Sequence, residues 1–538
     1  MIWLNVLFLC VFFAVTIGIG IYARRHTKSV GAFVLGGRTM GPWLTAFAYG
    51  TTYFSAVVFI GYAGQFGWAY GMSAVWIGLG NAIIGSLLVW KVMGRRTRIM
   101  TKHIDATTMP EFFGKRYDSK GLKIAASAIV FVFMIPYSAS VFNGLSYLFT
   151  SAFGLQKVQY GFEYCIIGMS VLTALYVILG GYMSTAINDF FQGIVMLVGV
   201  ILVIIAIVHS AGGMMTAMTD LSKFSAPNTE MQGAYISFFG PEPLNLLGVV
   251  ILTSLGTWGL PQMVHKFYAI KDEKAIRAGT VISTLFAIVI SVGSYFIGSF
   301  GRLFVSADEI TGSTGKLLFD QIVPNMLQKA VPAVLIAVVI VLVLSASMST
   351  LSSLVLTSSS TLTLDFVNGN IVKEMPEKKK VLWIRIFLAF FILTSMVLAI
   401  YSYRTQNLYI TKLMSISWGA LAGSFLAPFL YGLFWKKVTK AAVWANFISG
   451  VGITVTHLIL ANGDIFGHSF KFPTNPYINL ASPINAGAFA MIFGLILVPV
   501  VSLISPKLKK DVVDHAFEGY NIAVKANQDK YLGADEVV

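Results

Sequence analysis

The chain has 538 residues, of which 56% are hydrophobic and only 11% charged, with a mean hydropathy of +0.77. A soluble globular domain carries about 25% charged residues, and a water-soluble fold of this composition would expose too much apolar surface to stay dispersed. The formal net charge of +15 raises nucleic acid as a partner, but the placement of the basic residues argues for membrane orientation instead.

A membrane-crossing helix needs about 20 predominantly apolar residues. Thirteen candidates occur, at about 2–22, 41–63, 72–92, 123–150, 160–180, 187–209, 244–263, 276–300, 331–358, 382–402, 409–435, 440–461 and 482–504. The first has no basic stretch before it and no small-residue cleavage signal after it, and Ala23-Arg24-Arg25 follows. It reads as a retained helix rather than a signal peptide. Cys10 and Cys165 both lie in apolar runs, which suits buried hydrophobes and not a disulfide framework.

Cytoplasmic loops of membrane proteins are enriched in Lys and Arg. With the N-terminus outside, the segments around 23–40, 91–123, 264–278, 366–386 and 436–440 and the C-terminal tail are cytoplasmic. They hold 30 of the 38 Lys and Arg residues, and the external segments hold the other 8. That asymmetry predicts an odd number of spans, N-terminus outside and C-terminus inside. It also accounts for the net positive charge without nucleic acid. The longest loops are about 30 residues, too short for a catalytic domain. Neither G-x-x-x-x-G-K-[ST] nor H-E-x-x-H occurs, which argues against an ATP-driven pump and a zinc protease.

The second and seventh spans differ from the rest. They contain Ala48-Tyr49-Gly50-Thr51-Thr52-Tyr53-Phe54-Ser55-Ala56 and Ser254-Leu255-Gly256-Thr257-Trp258-Gly259-Leu260-Pro261-Gln262. Gly tolerates strained dihedrals and Pro removes a backbone donor, so both segments are suited to unwinding. Unwound backbone survives at membrane depth only where it lines a protected cavity. The two lie five spans apart. Two five-helix units of odd number would run in opposite senses, and matched interruptions in inverted halves point to a transporter's binding site.

The predicted organisation is an extra helix and cytoplasmic loop at 1–40, a first repeat at 41–209, an external loop at 210–243 and a second repeat at 244–435. Two further helices occupy 436–505 and a cytoplasmic tail 506–538.

The ninth span carries Ser345-Ala346-Ser347-Met348-Ser349-Thr350-Leu351-Ser352-Ser353. Positions three and four apart share a helix face, so Ala346, Ser349, Thr350 and Ser353 form one stripe. A hard cation such as sodium takes oxygen ligands, by the rule that holds for Ca²⁺ and Mg²⁺. The same small residues also suit close helix packing. Asp189, at the predicted start of the sixth span, stands in a stretch otherwise free of acidic residues. An ionisable residue within a span is a functional candidate, though an acid at a helix start also suits the helix dipole.

Several stretches resemble the sodium:solute symporter family, in particular its bacterial sodium/pantothenate and sodium/proline members. They are Leu35-Gly36-Gly37-Arg38-Thr39-Met40-Gly41-Pro42, Gly180-Gly181-Tyr182, Asn188-Asp189, Gln192-Gly193, Gly259-Leu260-Pro261 and Met348-Ser349-Thr350-Leu351-Ser352-Ser353. The resemblance spans about residues 2 to 505. It implies an all-helical membrane fold with a LeuT-type five-plus-five inverted-repeat core, alternating access, and Na⁺ as coupling ion.

By this resemblance one sodium takes carbonyls of Thr51, Phe54 and Ala346 with the hydroxyls of Ser349 and Thr350. A second sodium is implied between Asp189 and Ser349, Ser352 and Ser353. Tyr53, Tyr137, Ser138, Trp258, Pro261 and Gln262 are implied to face the solute. The proline members carry an aspartate at the position matching Tyr53. Tyr is nearer the pantothenate and monocarboxylate branch.

The expected function is therefore symport of sodium with a small organic solute across the inner cell membrane. The solute is a carboxylate such as pantothenate or a monocarboxylate, or an amino acid such as proline. A proton-coupled or uncoupled transporter on the same fold, or a transporter-like sensor, are the alternatives. Few intramembrane acids or histidines are present for a proton relay, and the stretch of about 28 residues after Lys510 is short for an output domain. No obligate protein partner is indicated.

Overall fold

The computed structural model describes Ile2 to Lys525 except residues 24–29, 228, 230, 313–314, 369–370, 406–407, 463, 466–467, 470–471, 474 and 476. Arg24, Arg25, Lys28 and the tail beyond Lys525, included above in the cytoplasmic charge, lie outside the described residues. The described chain is helical apart from a hairpin pairing Asp464–Ile465 with His468–Ser469. Many outward positions of the long helices are large and apolar, among them Val281, Leu285, Leu393, Val397, Ile496 and Val500. Such a surface is at rest in lipid and not in water.

Among the described residues, ten helical stretches are long and apolar enough to cross a membrane. An eleventh is the pair Pro243–Gly259 and Pro261–Tyr268, bent by 44°. The difference from the thirteen predicted is local. Residues Val57–His103 run on as one stretch, turned at Gly71 (φ 60°, ψ −137°) where two spans were expected to meet. The apolar helix Gly161–Leu175 falls short by itself. It continues through a kink at Gly181 (φ 57°, ψ −161°) into the helix that ends at Ser210. A Cβ at Gly181 would press on the Phe33 ring and carbonyl, so only glycine permits both the left-handed turn and this close approach.

The kink corrects one expectation. Asp189 lies two turns beyond Gly181, inside the helix, so the helix dipole gives no reason for an acid there.

The basic loops meet at one end of the molecule. Arg98 Nε donates to Ile270 O at 2.6 Å and Arg116 Nε to Gly432 O at 3.0 Å. Met40 N donates to Ala269 O at 3.1 Å and Lys271 N to Met40 O at 3.0 Å. These bonds tie the entry to the first broken helix to the exit of the second. The tail is more than a polar extension. It forms the helix Lys510–Lys525, whose Tyr520 hydroxyl donates to Leu433 O at 3.1 Å and whose Phe517 ring lies under the Arg116 guanidinium.

Helix contacts in lipid rely on small residues that let backbones approach. The helices Ala63–Tyr70 and Gly293–Ser299 do so through Gly67 and Gly298: a Cβ on either would overlap the other helix's backbone. Gly298→Val is expected to destabilise by about 1–3 kcal/mol or more, the cost of overpacking. A lowered midpoint in thermal unfolding of the detergent-purified protein checks this.

Candidate ion and solute site

The helix Pro42–Tyr53 stops where Phe54 turns extended (φ −109°, ψ 106°). The Ser55 hydroxyl accepts Val57 N at 3.2 Å and helix resumes over Val57–Tyr62 in π form, a geometry frequent at functional sites. The second break falls at Leu260 (φ −79°, ψ 120°), and Pro261 opens the next half-helix. Pro is tolerated there because the first helical N–H has no intrahelical partner. The predicted end of this span at 263 is corrected to Tyr268.

The serine-rich segment belongs to the helix Ala333–Thr361, fully buried from Val339 onward. Its hydroxyls meet the first break. Ser349 Oγ donates to Thr51 O at 2.9 Å and lies 3.0 Å from Ala346 O. Thr350 Oγ1 lies 3.2 Å from Thr51 O, 3.1 Å from Thr52 O and 3.1 Å from Ala346 O. Thr51, Ala346, Ser349 and Thr350 are thus brought together in a buried cluster of carbonyl and hydroxyl oxygens. Phe54 caps the same break. Thr52, which the sequence reading passed over, joins them through its carbonyl. Its hydroxyl is 2.9 Å from Ser353 Oγ.

The second expected ion position is arranged differently. Asp189 and Lys266 are both buried, with Lys266 Nζ 3.7 Å from Asp189 Oδ2. The same ammonium donates to Ser353 Oγ at 2.9 Å and lies 5.3 Å from the Tyr182 ring centre. Ser352 Oγ donates to Ser349 O at 2.9 Å. Lys266, grouped above with the cytoplasmic charges, is therefore a core residue. The available signal was its place directly after the predicted end of a broken span.

Tyr53 and Tyr137 converge on a residue that sequence reasoning missed, Trp418 of the helix Ile410–Phe434. Tyr53 stacks on Trp418 with ring centres 6.2 Å apart, and Tyr137 meets its edge at 5.9 Å. Tyr53 also ties the two broken helices, its hydroxyl donating to Thr253 O at 2.7 Å. Trp258 donates its ring N–H to Ile84 O at 3.1 Å. The Ser138 hydroxyl and both amide atoms of Gln262 are buried and find no hydrogen-bond partner among the described residues. Buried polar atoms are usually paired, so these groups are suited to a bound solute. Pro261 contributes its place at the start of the half-helix and not a polar contact.

A family model for the sodium:solute symporter family matches residues 33–450. The chain belongs to the sodium:solute symporter family. Its members are secondary transporters, so this symporter-family chain is a transporter and not an enzyme. The sodium/proline symporters of Staphylococcus aureus strains JH9 and JH1 are each 29% identical over 462 residues, covering 84% of this chain and 85% of theirs. The solved structure of a Na⁺-coupled sialic acid symporter, substrate-bound and outward-open, superposes with a TM-score of 0.70 at 16% identity. It covers 94% of this chain and 99% of that one. Mhp1, a nucleobase-cation-symport-1 family transporter, gives 0.53 at 10% identity over 91% of this chain and 98% of its own. These likenesses place the symporter-family chain in the LeuT-type fold expected above.

Proposed function

We propose that the protein couples inward sodium movement to uptake of a small organic carboxylate by alternating access. The observation that carries this reading is the meeting of the Ser349 and Thr350 hydroxyls with the Thr51, Thr52 and Ala346 carbonyls at a helix break. Sodium entering there replaces hydroxyl–carbonyl hydrogen bonds with ion–oxygen contacts, and the hydroxyls rotate to present lone pairs. The ion then draws the first broken helix and the serine-rich helix together. Tyr53, on the same broken helix and bonded to Thr253 of the other, transmits that ordering to the solute pocket.

Solute binding falls to Tyr53, Tyr137, Ser138, Trp258, Pro261 and Gln262, with Trp418 added. The rings cover an apolar body, while the Gln262 amide, the Ser138 hydroxyl and backbone donors at the start of the half-helix hold a carboxylate. An amino acid is the second reading, favoured by the sodium/proline relatives. Tyr53, where proline members carry aspartate, favours a carboxylate lacking an amine.

The charge asymmetry supports an outside N-terminus and an inside C-terminus in a bacterial inner membrane. The repeat boundaries 41–209 and 244–435 belong to the same proposal. One positive charge moving inward gains about 2.3 kcal/mol per 100 mV. Proteoliposomes carrying an inward sodium gradient are expected to concentrate radiolabelled pantothenate or a short monocarboxylate in preference to proline. Equal uptake with potassium replacing sodium would refute the coupling. Uptake of proline alone would refute the solute class.

A further inference from the structure

We infer that the Lys266 ammonium is a tethered cation filling the position between Asp189 and Ser353, so that the protein binds one sodium per chain. This rests on the sodium site of the preceding section, to which it adds the stoichiometry. The receptor is built from three elements. Asp189 comes from the helix after the Gly181 kink, Ser353 from the serine-rich helix, and Lys266 from the half-helix Pro261–Tyr268.

Both charged side chains are all but inaccessible, at 3% for Lys266 and 1% for Asp189. Around the ammonium stand a carboxylate at 3.7 Å, a hydroxyl at 2.9 Å and the face of the Tyr182 ring at 5.3 Å. A carboxylate, a hydroxyl and an aromatic face are together a receptor for a monovalent cation. A lysine ammonium carries the same single charge as sodium and differs in being attached to the chain.

The position holds one negative charge. A free sodium beside the ammonium would set two positive charges against one carboxylate in a dry interior, where their repulsion is poorly screened. Occupation by Lys266 therefore excludes sodium from the position that Asp189, Ser352 and Ser353 would otherwise form.

The tethered cation also reaches the other site. Its acceptor Ser353 shares a hydrogen bond with the Thr52 hydroxyl at 2.9 Å, and the Thr52 carbonyl is 3.1 Å from Thr350 Oγ1. The lysine thus pins the second half-helix to the serine-rich helix and to the first break with no second ion from solution. A buried pair that holds three elements in register is a specificity device of the kind buried charges can provide.

Radiosodium binding to the purified full-length protein, counted per chain, tests this. Wild type is expected to bind one sodium and Lys266→Ala two, because removing the ammonium leaves Asp189 facing a cation-sized space. Thr350→Ala/Lys266→Ala is expected to keep the new site and to need about ten- to one-hundredfold more sodium to fill the first. Two sodium ions on wild type, or no additional ion on Lys266→Ala, would overturn the inference.

No sodium on wild type with one on Lys266→Ala would refute the sodium site at the first break while leaving the tethered cation standing. Should Lys266→Ala not fold, the neutral pair Asp189→Asn/Lys266→Met carries the test. It is expected to bind one sodium, and loss of all sodium binding would overturn the inference by making Asp189 an ion ligand.

Discussion

Replacing Thr350 by Ala is expected to raise the sodium concentration for half-maximal binding by about ten- to one-hundredfold. Thr350 Oγ1 is the side-chain oxygen that lies closest to three carbonyls at once, those of Thr51, Thr52 and Ala346. Removing a partner from a charged group costs about 1.5–3 kcal/mol, and each 1.4 kcal/mol is about tenfold in affinity. Thr350→Ser keeps the hydroxyl and is expected to stay within a few-fold of wild type. Sodium titration of thermal stability in detergent reads both variants without a known solute. An unshifted titration for Thr350→Ala would remove this hydroxyl from the ion site.

The second large effect concerns the buried ion pair. Asp189→Ala leaves Lys266 charged and buried with, among the described residues, the Ser353 hydroxyl and the Tyr182 ring for partners. Breaking a buried pair by deleting one member costs about 3–5 kcal/mol, a large share of the 5–15 kcal/mol that stabilises a typical domain. A marked fall in unfolding temperature and in membrane yield is expected, and added sodium gives back no more than the increment it gives wild type. Lys266→Ala is also destabilised in sodium-free buffer, but there sodium restores stability because the carboxylate gains an ion. Comparing the two variants with and without sodium by differential scanning fluorimetry separates the cases. Equal sodium responses would contradict the assigned roles.

The sequence carried the features that depend on composition and local pattern. Membrane residence follows from apolar runs, because a helix in lipid must satisfy its backbone internally whatever its neighbours are. The breaks near Phe54 and Leu260 were legible because Gly, Thr and Pro weaken helix locally, and the structure places them there. Ser349 and Thr350 were legible as a stripe, since helical spacing fixes which residues share a face.

Tertiary structure decided what faces that stripe. Thr52, 301 positions from Ser353, and Trp418, far from both Tyr53 and Tyr137, meet those residues only through packing between distant segments. The continuation of the fifth span through Gly181 moved Asp189 from a helix start to a helix interior. Lys266 is the clearest case: counted along the chain it is one more basic residue after a span, but packed beside Asp189 and Ser353 it is a buried cation. Charge is a property of the residue and is written in the sequence. The environment that turns a charge into a topology signal, or into the occupant of a binding site, arises only when separate helices close around it.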